Sequence, residues 1–131
     1  MENGKWETVS SERRFTNAHL EVVTDCVRTP ARREPREWTI VRRKAAVVIA
    51  AMTREGKIFL LRQERIPIRQ AIWEMPSGQI DEPKTDCDGI QKVALRELRE
   101  EAGLELCEDG RLIALGHYFS SPGFTDERGY F

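Results

Sequence analysis

Several kinds of protein are excluded by what this chain lacks. No apolar run approaches the roughly 20 residues of a membrane span. The longest, residues 45–52, suits one buried strand. The first residues hold no apolar core of the signal-peptide kind. Cysteine is scarce: Cys26, Cys87 and Cys107 are odd in number, scattered and without metal-ligand spacing. That argues against a disulfide framework or a cysteine-based site and points to a reducing cytoplasm. The two histidines, His19 and His117, stand alone, and neither is assigned a role. There are no repeats and no low-complexity tract. Nor is there an excess of positive charge: 21 Lys and Arg face 22 Asp and Glu, for a net charge of −1. A nucleic-acid binder would carry a dominant basic surface, so no nucleic-acid partner is expected.

What is present is an ordinary soluble composition, 40% hydrophobic and 33% charged, in 131 residues. This length suits one domain. The charge is unevenly spread. Residues 1–44 hold ten Lys and Arg against seven Asp and Glu, whereas residues 74–110 hold eleven acids against four bases, a net of −7. An acidic segment inside a folded domain is either a cation site or a solvated face. Residues 6–10 and 20–24 alternate loosely and predict short strands. Residues 29–35, with Pro30 and Pro35, predict a polar turn. Strands are expected at 38–41 and 45–52, then a hairpin turn at 54–57, a return strand at 58–63, and a short strand at 72–75 ending at Pro76. A loop, 79–87, leads to the one strong helix. Asp88 with Gln91 three residues on predicts its cap, Ile90, Val93, Ala94 and Leu98 share one face, and Gly103 stops it. Residues 112–115 and 117–119 predict a further strand.

The helix carries the chemistry. At 100° per residue Glu97 and Glu101 stand one above the other, with Glu100 beside them. Three carboxylates so placed repel one another, and a hard divalent cation such as Mg²⁺ would reverse that effect. The alternative is a solvated face, with Arg96 and Glu100 as an i,i+4 pair.

The run Arg96-Glu97-Leu98-Arg99-Glu100-Glu101-Ala102-Gly103-Leu104 matches the latter half of the Nudix signature, R-E-U-x-E-E-x-G-U, at every fixed position. Glu74-Met75-Pro76-Ser77-Gly78-Gln79-Ile80-Asp81-Glu82 resembles the loop that opens that signature in ADP-ribose pyrophosphatases and related nucleoside diphosphate-sugar hydrolases. Leu61-Arg62-Gln63-Glu64-Arg65 resembles the strand end before it, and residues 120–128 resemble the downstream proline loop. The likeness runs from about Trp38 onward. It departs at Lys84, where the signature expects glutamate; counted back from Arg96 that slot holds Asp88, as if four residues were inserted.

The resemblance implies an α+β fold, an α/β/α sandwich with a mixed β-sheet and the signature loop-helix packed on it. Residues 1–43 would be an N-terminal region of antiparallel strands that dimerises and contacts substrate, and 44–131 the Nudix domain, lacking the usual C-terminal part. It implies Mg²⁺-dependent hydrolysis, with Mn²⁺ as a substitute, of the diphosphate in a nucleoside diphosphate-sugar, ADP-ribose to AMP and ribose 5-phosphate foremost. Glu97, Glu100, Glu101 and the carbonyl of Ser77 would hold metal, Glu100, Glu101 and Arg96 would serve catalysis, and Gly78 would permit the close approach of the loop. Trp38 would stack on a nucleobase, Arg65 grip a phosphate and Glu127 hold a ribose hydroxyl or assist the base. The expected partners are a small-molecule nucleotide and a second copy of the chain in a homodimer, with no membrane. Rival readings are hydrolysis of GDP-mannose or UDP-glucose, a catalytically weak nucleotide-binding Nudix-like module, and an interaction domain whose acidic helix is merely solvated.

Overall fold

The computed structural model describes residues 5–81 and 86–119, together with the backbone of 124–125 and 128–130. The chain divides into two compact units, residues 1–44 with 119–127, and residues 45–118 with 128–131.

The first unit is built on long antiparallel strands: β1 (Glu7–Thr16), β2 (Leu20–Thr29) and β3 (Arg32–Arg43). They extend well beyond the short strands expected, because threonine, valine and arginine stems fit a pleated surface. The expected turn over 29–35 contracts to Pro30 and Ala31, and Pro35 lies inside β3. A proline is tolerated there because the register slips between Val27 and Thr29, so its missing N–H falls in an irregular stretch. On one face of β2, Val23 and Asp25 are the buried residues. Asp25 accepts from Ser11 Oγ at 2.5 Å and faces Arg42 Nη2 at 3.4 Å. Glu21, on the same face, takes Arg13 at 2.6 Å and Arg42 at 3.2 Å.

The second unit holds the helix. Its first strand, β4 (Ala46–Val48), is shorter than the 45–52 expected. The chain beyond it still finds partners: Ile49 N–H donates to Pro76 O at 2.8 Å, and Phe59 N–H to Ala51 O at 2.9 Å. The hairpin turn forms as expected, with Thr53 N–H on Lys57 O at 2.9 Å and Gly56 at φ +78°. The regular return strand begins later, as β5 (Leu61–Arg65), and pairs with β6 (Gln70–Glu74) around a 3₁₀ turn at Ile66–Ile68. Next, β7 (Ser77–Gln79) pairs antiparallel with β4.

The helix, α1 (Cys87–Ala102), begins earlier than Asp88 implied. Asp86 is its cap: its extended backbone leaves the carboxylate free to accept from Gly89 N–H at 2.9 Å. Asp88 falls in the first turn, where a negative charge favours the N-terminal end of the helix dipole. At the other end Gly103 adopts φ +63°, and the N–H groups of Gly103 and Leu104 reach back to Arg99 and Leu98, both at 3.1 Å. The expected apolar face is realised. Ala94 and Leu98 are buried with Val47 and Ile49, and Ile90 and Val93 pack against them with Leu104 and Leu112. Residues 112–115 form no strand, whereas β8 (His117–Phe119) does. The short β9 (Phe124–Thr125) runs parallel to β3, and β10 (Arg128–Tyr130) parallel to β4. The resulting sheets run β1-β2-β3-β9 and β7-β4-β10-β8, with β5-β6 as a separate ribbon. Among the described residues α1 is the one α-helix, and none is long and apolar enough to cross a membrane.

Candidate metal and diphosphate site

The site grows from the contact between β7 and α1. Pairing with β4 fixes the backbone of Ser77 and Gly78, and burial of Ala94 and Leu98 fixes the rotation of the helix. Glu97 and Glu101 are thereby turned toward the β7 backbone. Glu101 Oε2 accepts the Ser77 N–H at 3.0 Å. Glu97 passes so close to Gly78 that a Cβ there would lie 2.0 Å from its Cδ and 2.2 Å from its Cγ. A side chain at this position would have to displace Glu97. The side chain of Glu97 is 14% exposed, whereas Glu100 and Glu101 are exposed.

Arg96 lies across the outer side of the cluster. Its Nη2 meets Glu97 Oε1 at 2.9 Å, and its Nε is 3.9 Å from Glu100 Oε2. The hydrogen bond to Glu97 raises the Arg96 pKa above its ordinary value, and the charges of Glu97, Glu100 and Asp81 add to that. Arg65, on the β5–β6 ribbon, pairs with Glu74. Its Nε and Nη2 both reach Glu74 Oε2, at 2.7 and 2.6 Å. Its pKa is also raised, first by that hydrogen bond, with Glu101 contributing through its charge.

These residues offer hard carboxylate oxygens suited to a cation such as Mg²⁺ rather than to a soft metal. Gly78 leaves the space that brings backbone and carboxylate together. Among the described residues no three His, Cys, Asp or Glu side chains are gathered as a metal cluster. Instead, Glu97 and Glu101 are satisfied by protein donors, Arg96 and the Ser77 N–H.

Of the residues singled out from the sequence, Ser77, Arg65, Arg96, Glu97, Glu100 and Glu101 all belong to the second unit. Trp38 lies on β3 in the first unit, 58% exposed, and lines a cleft of about 420 Å³ with Trp6, Val27 and Arg36. Glu127 lies outside the described residues. Sequence reasoning missed Glu74. The signal was there in its place just before the Pro76 turn, but the cross-ribbon reach of Arg65 cannot be read from spacing.

A family model described as the NUDIX domain matches residues 41–130. The chain belongs to the Nudix family. Among curated relatives it is similar to an ADP-ribose pyrophosphatase of Bacillus subtilis, 31% identical over 97% of this chain and 64% of that one. An ADP-ribose pyrophosphatase of Mycobacterium tuberculosis is 36% identical over 97% and 58%. A methanol dehydrogenase activator of Bacillus methanolicus is 35% identical over 92% and 61%. The chain thus spans about three fifths of the length of these relatives. A solved structure of an ADP compounds hydrolase shares the fold at a TM-score of 0.78 and 17% identity, over 99% of this chain and 66% of that one.

Proposed function

We propose that this Nudix chain acts in Mg²⁺-dependent hydrolysis of a diphosphate joining a nucleoside to a second moiety, with ADP-ribose, split to AMP and ribose 5-phosphate, as the foremost substrate. The observation that carries this reading is the contact of Glu97 and Glu101 with the backbone of Gly78 and Ser77. Two carboxylates of the helix that carries the Nudix signature are held against the β7 backbone. The names of the Bacillus subtilis and Mycobacterium tuberculosis relatives point to ADP-ribose.

Glu97, Glu100, Glu101 and the Ser77 carbonyl would hold the cation. When bound, Mg²⁺ would neutralise charge on the diphosphate and lower the pKa of the attacking water. Arg96 orients Glu97 through their hydrogen bond. Glu101, released from the Ser77 N–H, can turn toward a cation or accept a proton from water. Arg65 offers planar donors to a phosphate, and Trp38 an exposed aromatic face to a base. Residues 1–43 are read as a dimerising strand region and 44–131 as the Nudix domain. The exposure of Trp6, Val9 and Phe15 in the first unit supports a homodimer, which light scattering tests directly. A cytoplasmic location fits the free cysteines.

Incubation with Mg²⁺ and a panel of ADP-ribose, GDP-mannose and UDP-glucose tests the substrate. ADP-ribose is expected to turn over fastest, and preference for another sugar would redirect the assignment. Nucleotide binding without turnover is a second reading, favoured by the protein donors that occupy Glu97 and Glu101. It would appear as binding to all three with no product.

A further inference from the structure

The pair Arg65–Glu74 has a geometry that ribbon stability does not account for. In the register of β5 and β6, Glu74 stands opposite Leu61, and Arg65 opposite Gln70. The two residues therefore sit at opposite ends of the ribbon, and the arginine must run back along it to reach its partner. An arginine 43% exposed at its side chain gains little stability from such a pairing and loses freedom by it. What the pairing does achieve is orientation. Both Nε and Nη2 meet one oxygen of Glu74, which occupies the side edge of the guanidinium. Among the described residues no hydrogen bond takes up the end-on edge, Nη1 and the outer N–H of Nη2, whose donors form the fork that suits a phosphate. Glu74 also lies two residues before Pro76, so it ties this fork to the turn that presents Ser77 and Gly78. The charge of Glu101 contributes to raising the Arg65 pKa.

We propose that Glu74 is a positioning residue, which grips Arg65 by its side edge so that the end-on edge meets the diphosphate of a substrate beside Glu101. The role rests on the diphosphate chemistry proposed above, and it acts wholly through Arg65. Loss of Glu74 alone leaves a charged but unaimed arginine; once Arg65 is gone, Glu74 has nothing to aim.

The test is a double-mutant cycle in the full chain: wild type, Glu74→Gln, Arg65→Ala and the pair. Calorimetry with inorganic pyrophosphate and Mg²⁺ reads binding, and ADP-ribose turnover reads KM and kcat. Glu74→Gln is expected to weaken pyrophosphate binding about tenfold, the size of one charge-assisted hydrogen bond. It should raise KM more than it lowers kcat. In the Arg65→Ala background the same change should alter binding by less than about twofold, as uncoupled sites do. Arg65→Lys, which keeps the charge but not the fork, should resemble Glu74→Gln and covers the case in which Glu74→Gln melts. Equal losses with and without Arg65, wild-type affinity in Arg65→Lys, or no pyrophosphate binding by the wild type would each overturn the proposal. Coupled pyrophosphate binding without ADP-ribose turnover would uphold the role of Glu74 while refuting the substrate.

Discussion

Gly78 is the residue whose replacement tests the site most sharply on structural grounds. A methyl group there would overlap the Glu97 side chain, and overlaps of this kind cost about 1–3 kcal/mol. The cheapest relief is to push Glu97 out of place. Gly78→Ala is therefore expected to lower Mg²⁺-dependent turnover at least about tenfold, in the range seen when groups that orient metal ligands are altered. Melting should fall by only a few degrees. A folded variant with wild-type turnover would mean that Glu97 need not lie against β7. At this scale the sequence named the helix residues Glu97, Glu100, Glu101 and Arg96 through the Nudix signature, and the structure brings Glu97 and Glu101 of these to Gly78 and Ser77. The Ser77 N–H on Glu101 and the Glu74 grip on Arg65 were not legible, because the first depends on how β7 packs on the helix and the second on the register of the β5–β6 ribbon.

The helix shows how local chemistry competes. Asp86 and Asp88 are both good caps by type, and the sequence favoured Asp88 because Gln91 completes a capping box. The structure uses Asp86, whose carboxylate takes the Gly89 N–H. Asp86→Ala should cost about 1 kcal/mol, the usual loss of a cap. Asp88→Ala should cost only about 0.3–1 kcal/mol through the helix dipole. Chemical denaturation of the two variants checks the order, and a larger loss at Asp88 would restore it as the cap. The apolar face and the Gly103 stop were legible, since both follow from helical periodicity and from the left-handed backbone that glycine favours. Strand limits were less so. Residues 45–52 read as one strand because the run is uniformly apolar, yet only Ala46–Val48 are regular, with Ile49 bonding instead to the Pro76 carbonyl. The opposite error at 29–35 came from weighing Pro35 as a turn former without the register slip that accommodates it.

Across the whole molecule, charge should make stability depend on pH and on cations. Glu21 has its pKa lowered, first by the Arg13 hydrogen bond, then by the Arg13 and Arg42 charges, which together outweigh desolvation. A carboxylate depressed in the folded state favours folding above its unfolded pKa, and that contribution fades as pH falls through the folded value. The difference in Tm between wild type and Glu21→Gln should therefore shrink as pH drops from neutral to below about 4, the ordinary glutamate range. A constant difference would show that the Arg13–Glu21–Arg42 cluster adds no charge-dependent stability. The acidic helix should respond in the other sense. The proposed Mg²⁺ binding would stabilise the folded chain by about 2.7 kcal/mol at a hundred times Kd. EDTA should remove this gain, and an unchanged melt with and without Mg²⁺ would favour a merely solvated face.

The central claim is that the α1 carboxylates serve hydrolysis of a diphosphate. It is tested most directly by measuring AMP and ribose 5-phosphate released from ADP-ribose with Mg²⁺, in wild type and in Glu101→Gln. The glutamine can still accept the Ser77 N–H, so the fold is retained while the charge is lost. Wild-type turnover should fall at least about a hundredfold in the variant, since a lost metal ligand removes several kcal/mol of charge stabilisation. Turnover that survives Glu101→Gln unchanged would contradict the account.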